Sequence, residues 1–243
     1  MHRAVAVWRL SRSVWHVLWG MVLVMSLPQR SAAGRHEVIR RWSAGLVRRL
    51  GATLQVSGTP RPGATLIVAN HVSWLDSAAI HAAAPHARFV SKADVLRWPL
   101  LGRLARGGGT LFIERERKRD ALRVVHAMAA ALQAGDTVAI FPEGTTGAGP
   151  EPLPFHANLL QAAIATATPV QPVVLRFADE HLPFSPAAAF VGTATLAQSV
   201  WRVVSARGLR VHVELLPAVA TAHADRRALA AHLRELIAER LRP

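Results

Sequence analysis

The sequence predicts an α/β domain with a mostly parallel sheet flanked by helices, preceded by an N-terminal membrane-docking helical pair. Three observations predict it. After Gly51, short runs rich in Val, Ile, Leu and Thr alternate with longer helical patterns, as βαβ units do. Four of the seven tryptophans fall in the first 42 residues, interleaved with arginine and aliphatic residues. The chain has 243 residues and is 51% hydrophobic, enough for one sizeable core.

Residues 1–50 are expected to associate with a membrane, and residues 51–243 to form the α/β domain. Ala4 to Leu27 reads AVAVWRLSRSVWHVLWGMVLVMSL. Its uninterrupted apolar part, Ser13 to Leu27, is shorter than the roughly 20 residues of a simple span, although Arg9 and Arg12 can snorkel to the interface. Arg3, Arg9 and Arg12 precede it and Arg30 and Arg35 follow, so charge assigns no outer end. A re-entrant or tilted monotopic helix fits this symmetry. Ser31-Ala32-Ala33 leaves a secretory signal peptide as an alternative. In His36–Leu50 the apolar Val38, Trp42, Leu46 and Leu50 recur every four residues, with arginines opposite. This is the pattern of an interfacial helix, or of a surface helix docked on the domain.

Strands are expected at Thr53–Val56, Thr65–Ala69, Arg88–Ser91, Thr110–Ile113, Thr137–Phe141, Val170–Phe177 and Arg210–Leu216. Helices are expected at Trp74–Ala83, Ala93–Ala105, Arg119–Gln133, Ala157–Ala167, Leu196–Ala206 and Asp225–Leu241. Gly- and Pro-rich loops separate them at 106–109 and 147–154.

Twenty-nine Lys and Arg stand against fifteen Asp and Glu, a formal charge of +14. Such a balance attracts polyanions. Arginine interleaved with Trp, Leu and Val, together with a mean hydropathy of +0.22, favours an anionic membrane surface over nucleic acid. The absence of cysteine rules out disulfides, thiolate nucleophiles and zinc–thiolate centres. No metal is expected.

Three segments that follow predicted strands carry chemistry. In Asn70-His71-Val72-Ser73-Trp74-Leu75-Asp76, the apolar run 65–69 delivers His71, and Asp76 follows five residues later. Within one helix that spacing separates side chains by about 140°. The two meet only if His71 lies in the turn and Asp76 on the first turn of the next helix. Asp76 would then hold one imidazole nitrogen and leave the other to accept a proton. A helix-capping His and a surface Asp is the plainer reading of this heptapeptide alone. Gly109-Thr110-Leu111-Phe112-Ile113-Glu114-Arg115 puts a guanidinium just beyond a strand, where open α/β sheets bind ligands and where Arg grips phosphate or carboxylate. It could equally pair within the charged run ERERKRD. In Phe141-Pro142-Glu143-Gly144-Thr145-Thr146, Pro142 and Gly144 force a turn whose N–H groups can face an anion, or that simply ends a strand. Its Glu143 would orient Arg115 or accept a hydroxyl.

These segments, with Pro169-Val170-Gln171-Pro172-Val173, together resemble the four motifs of the glycerolipid acyltransferases, typified by 1-acylglycerol-3-phosphate acyltransferase. The resemblance covers roughly residues 65–177. It implies an α/β fold and O-acyl transfer from acyl-CoA or acyl-carrier protein, a co-substrate rather than a bound cofactor, to a lysolipid acceptor in phospholipid synthesis at the cytoplasmic face of a bacterial inner membrane. His71 would be the general base and Asp76 its orienting carboxylate. Arg115, Glu143, Gly144 and Thr145 would bind the acceptor head group, and 170–173 would shape the floor of the acyl site. One departure stands out. Many family members that use lysophosphatidate carry a basic residue where this chain has Thr146. That leaves lyso-ornithine lipid as an alternative acceptor, since the chain also resembles bacterial lyso-ornithine lipid acyltransferases. Two readings from other classes are a basic nucleic-acid-binding module, which leaves the motifs unexplained, and a catalytically silent membrane-binding scaffold, against which the presence of both His71 and Asp76 argues.

Overall fold

The computed structural model describes residues 2–92, 101–113 and 118–242. Two helices open the chain, α1 (His2–Ser26) and α2 (Ala32–Arg49), joined by a short 3-10 turn at Leu27–Gln29. Then follow β1 (Thr53–Ser57), β2 (Thr65–Ala69), α3 (Asp76–Ala83), β3 (Ala87–Lys92), α4 (Leu101–Gly107) and β4 (Leu111–Ile113). The remainder is α5 (Lys118–Gln133), β5 (Thr137–Ile140), α6 (Gln161–Ala165), β6 (Val170–Ala178), α7 (Leu196–Ser205), β7 (Arg210–Leu215) and α8 (Arg226–Leu241). The expected helix Ala93–Ala105 falls partly outside the described residues. The one expected at Ala157–Ala167 is split into a 3-10 segment, Ala157–Leu160, and α6, and Ala167 already has φ of 50°.

The seven strands form one sheet in the order β1-β7-β6-β2-β5-β3-β4. All neighbouring pairs are parallel except β6 and β7. The central strand β2 is buried throughout, which explains its unbroken run of apolar residues rather than an alternating pattern. Its neighbouring residues still face opposite ways. Ile67 joins a core with Leu46 and Val47 of α2, Leu50 at its C-cap, Ala79 and Ile80 of α3, and Val203 and Val204 of α7. Leu66 and Val68 join a second core with Met128 and Leu132 of α5, Leu160, and Leu229 and Leu233 of α8. The sheet is thus covered on both faces, as a largely parallel sheet requires.

Helix ends follow local chemistry. The Ser31 hydroxyl accepts the Gly34 N–H at the start of α2, Thr195 and Gln198 form a capping box on α7, and the Asp225 carboxylate accepts two N–H groups of α8.

Of the two readings of 36–50, the docked one describes what α2 does. Its apolar stripe is part of the domain core, with Val47 fully buried and Leu50 nearly so. Helix α1 behaves differently. Its inward face holds Ala6, Ser13, His16 and Gly20. Its outward face exposes Val5, Val7, Trp8, Val14, Trp15, Leu18, Trp19, Val22 and Met25. The two helices are clasped by reciprocal bonds: the Trp42 indole N–H donates to the His16 carbonyl at 3.1 Å, and His16 Nε2 donates to the Trp42 carbonyl at 2.8 Å. Their rings stack at 5.3 Å. Gly20 makes room for this, because a Cβ there would lie 2.4 Å from the indole nitrogen. Arg9 ties α1 to the domain by donating to the carbonyls of Val204 and Ala206 at the end of α7.

Candidate active site

The site is built where β2 ends. Asn70 is buried, and its amide donates to the Leu175 carbonyl and accepts the Leu175 N–H, each at 2.8 Å. This side chain meets β6 as a strand residue would, so the main chain is released to turn at His71. Asp76 is the first residue of α3, which brings it back over the turn.

Asp76 is wholly buried. Its Oδ2 accepts His71 Nδ1 at 2.7 Å, the Val72 N–H at 2.7 Å and the Ser73 N–H at 2.9 Å. Three donors on one carboxylate oxygen require Nδ1 to carry the proton, which leaves Nε2 as the acceptor. The imidazole stacks on Phe141 with ring centres 4.1 Å apart and planes 12° from parallel. Phe141 in turn stacks on Phe89. With Nδ1 bound and one ring face covered, His71 keeps 22% of its side chain exposed.

The turn after β5 supplies the second half. Glu143 is 5% exposed. Its Oε1 accepts the His71 N–H at 2.8 Å and its Oε2 accepts the Leu153 N–H at 3.0 Å. Burial raises its pKa above the ordinary glutamate value, opposed by the N–H groups of His71 and Leu153 and by the positive charge His71 can carry. The Gly147 N–H donates to the His71 carbonyl at 2.7 Å, and the Phe190 N–H to the Val72 carbonyl at 2.9 Å. Every backbone polar group of His71 and Val72 is therefore held. Gly144 is exposed with φ of 70°, and a Cβ there would press on the His156 ring at 3.2 Å. Its N–H closes the turn onto the Phe141 carbonyl. Thr145 is exposed beside it, while the Thr146 hydroxyl donates inward to the Phe190 carbonyl.

The structure thus brings His71, Asp76, Glu143, Gly144 and Thr145 together at one rim of the sheet. Arg115 lies outside the described residues; β4, which precedes it in sequence, ends on the same rim. Val170 and Val173 lie in the two opposite cores, Val173 level with Ala69. Gln171 ties the far ends of strands together through Arg61, Thr59 and Leu216. Sequence reasoning passed over Phe141, the ring beneath His71. It also missed the tether from the Trp74 indole to the Ser199 hydroxyl at 3.1 Å. The contact between the turns follows from the strand register: Val68 pairs with Ile140, so three residues further along a parallel pair His71 comes level with Glu143. Among the described residues, no group of three or more His, Asp or Glu could hold a metal ion.

The acyltransferase family model matches residues 53–176. The chain is 36% identical over 209 residues to the 1-acyl-sn-glycerol-3-phosphate acyltransferase of Neisseria meningitidis, covering 84% of this chain and 80% of that one. It is also 36% identical over 203 residues to the lyso-ornithine lipid O-acyltransferase of Pseudomonas aeruginosa, covering 84% and 78%. The crystal structure of the 1-acyl-sn-glycerophosphate acyltransferase of Thermotoga maritima superposes with a TM-score of 0.74 at 18% identity, over 99% of this chain and 96% of that one, and so shares the fold. The chain belongs to the acyltransferase family.

Proposed function

We propose that this chain moves a fatty acyl group from a thioester donor, acyl-CoA or acyl-carrier protein, to the hydroxyl of a lysolipid at a membrane surface, with 1-acylglycerol-3-phosphate as the first-choice acceptor. The observation that carries the reading is the His71–Asp76 pair at the strand end, with Nδ1 committed to a buried carboxylate and Nε2 left to accept a proton.

Nε2 takes the proton of the acceptor hydroxyl as its oxygen attacks the thioester carbonyl. A C–O bond forms, the C–S bond breaks, and the departing thiolate takes the proton back from the imidazolium. Asp76 stabilises that imidazolium throughout. No acyl-enzyme is needed, since the thioester is already activated. The Gly144 N–H is occupied by the Phe141 carbonyl, which removes it as a donor to the tetrahedral oxyanion. Arg115, Gly144 and Thr145 are assigned to the acceptor head group by their place in the family's motifs.

Thr146 favours one second reading. Its side chain is turned inward, onto Phe190, and it supplies no cation to a phosphate monoester. An acceptor such as lyso-ornithine lipid needs none there, and a relative named for that acceptor is as similar as the lysophosphatidate one.

Helix α1 supports membrane docking. Residues Arg3–Gln29 are long and apolar enough to cross a bilayer, but the inward polar face and the bonds of Arg9 and His16 to the domain support a helix lying in the interface. Arg40, Arg41 and Arg48 of α2 line an open groove with Thr53 and Leu54, a basic margin suited to anionic head groups.

The test is purified enzyme with labelled acyl donor and a panel of lysolipids, lysophosphatidate and lyso-ornithine lipid first. His71→Ala should lower turnover by about 10²–10⁴-fold with the fold retained. A folded His71→Ala protein with near-normal activity would refute the base assignment.

A further inference from the structure

We infer that Glu143 is a positioning residue for His71 rather than a ligand of the acceptor. The inference rests on the reading of His71 as general base. Both carboxylate oxygens are already engaged by main-chain donors, His71 at 2.8 Å and Leu153 at 3.0 Å. The side chain is almost entirely removed from solvent. Gly147 packs beside it, where a Cβ would lie 3.3 Å from Oε2, and the same glycine's N–H takes the His71 carbonyl. A carboxylate turned inward onto two peptide groups does not face an incoming lipid.

Its position does two things. It fixes the peptide that carries the imidazole, so the ring's height over Phe141 and its line to Asp76 are set from both ends. It also places a second buried carboxyl group against the His71 main chain. When ionised, that group favours the imidazolium that forms on proton abstraction. The attraction is mutual, since the positive charge of His71 is among the influences that hold the Glu143 pKa down against burial.

Burial remains the largest influence, so the Glu143 pKa is raised on folding. A carboxyl with a raised folded pKa adds stability only while protonated, and that contribution is lost as pH rises through the folded value. The fold therefore favours the ionised group less than the protonated one. A neutral substitute should leave stability little changed even while activity falls.

The experiment is steady-state kinetics on Glu143→Gln and Glu143→Asp, with acceptor and donor varied separately. Glutamine keeps the size but loses the charge and one acceptor. Its Tm should stay within about 5 °C of the parent. Its kcat should fall on the order of 10²-fold, as small misplacements of reacting groups do. Its acceptor KM should stay within about twofold. Aspartate keeps the charge but is one methylene short, so its kcat should fall as well, again with the acceptor KM little changed. It also decides by the same split if the glutamine variant fails to fold. An acceptor KM that rises to account for the whole loss, with kcat unmoved, overturns the inference. That outcome leaves the base assignment standing, whereas an active His71→Ala enzyme would remove the base assignment itself.

Discussion

Helices α1 and α2 lie side by side, carry similar mixtures of arginine, tryptophan and aliphatic residues, and turn opposite faces to the protein. Helix α2 puts Leu46, Val47 and Leu50 into the core and leaves Arg40, Arg41 and Arg48 outside. Helix α1 puts Ser13, His16 and Gly20 inside and leaves tryptophans, valines and a methionine outside. A stripe of apolar residues states that something apolar will cover it, not that the cover is the rest of the chain. For α2 the cover is the sheet and α3. For α1 the inward polar groups find partners within the fold, and the apolar stripe is left uncovered by the rest of the chain. Full burial of one such side chain is worth about 1.5–3 kcal/mol, which the folded chain by itself does not realise.

The contrast can be broken most sharply in α2. Leu50→Ala empties a fully packed position against the sheet and should cost about 2–5 kcal/mol, read from the urea midpoint. By the same logic, deleting residues 1–50 removes part of the core, so the remainder should fail to unfold cooperatively rather than become a soluble enzyme. An intermediate effect is expected at the seam. Gly20→Ala forces the Trp42 ring from its bond to His16 and should cost about 1–3 kcal/mol, measured the same way. The smallest effect on the fold belongs to the outer face of α1. Trp15→Glu should change stability by no more than about 0.5 kcal/mol while weakening co-sedimentation with anionic vesicles. Equal vesicle binding by this variant and the parent would mean that α1 does not face the bilayer.

How much of this was legible from residues alone differs by kind of interaction. All seven strands were, because each carries its own run of β-favouring side chains, whether buried throughout like β2 or mostly exposed like β1. The order of the strands was not, because pairing partners are far apart in sequence. The His71–Asp76 contact was legible as a condition, strand then turn then helix, and the fold meets it. Glu143 was readable as a site residue but not as one that turns inward. Its partners are the peptide N–H groups of His71 and Leu153, and peptide groups have no signature in the sequence. The outward face of α1 was hidden for a related reason: periodicity locates a stripe without saying on which side the protein lies. The Arg- and Trp-rich start nevertheless pointed to an interface, and the exposed tryptophans of α1 support that reading.

Asn70 has one more consequence. Where β2 stops, its amide substitutes for a peptide unit, giving Leu175 both a donor and an acceptor. The sheet is in effect one rung longer than its main chain. The residue that follows can leave the plane without opening a gap beneath it, so a side chain carried by a turn is mounted on the rigidity of a strand. An aspartate at 70 would offer oxygen on both sides, and the Leu175 carbonyl would face a negative charge where it now meets a donor. One nitrogen atom in a side chain thus separates a sheet that ends cleanly from one that frays beneath His71.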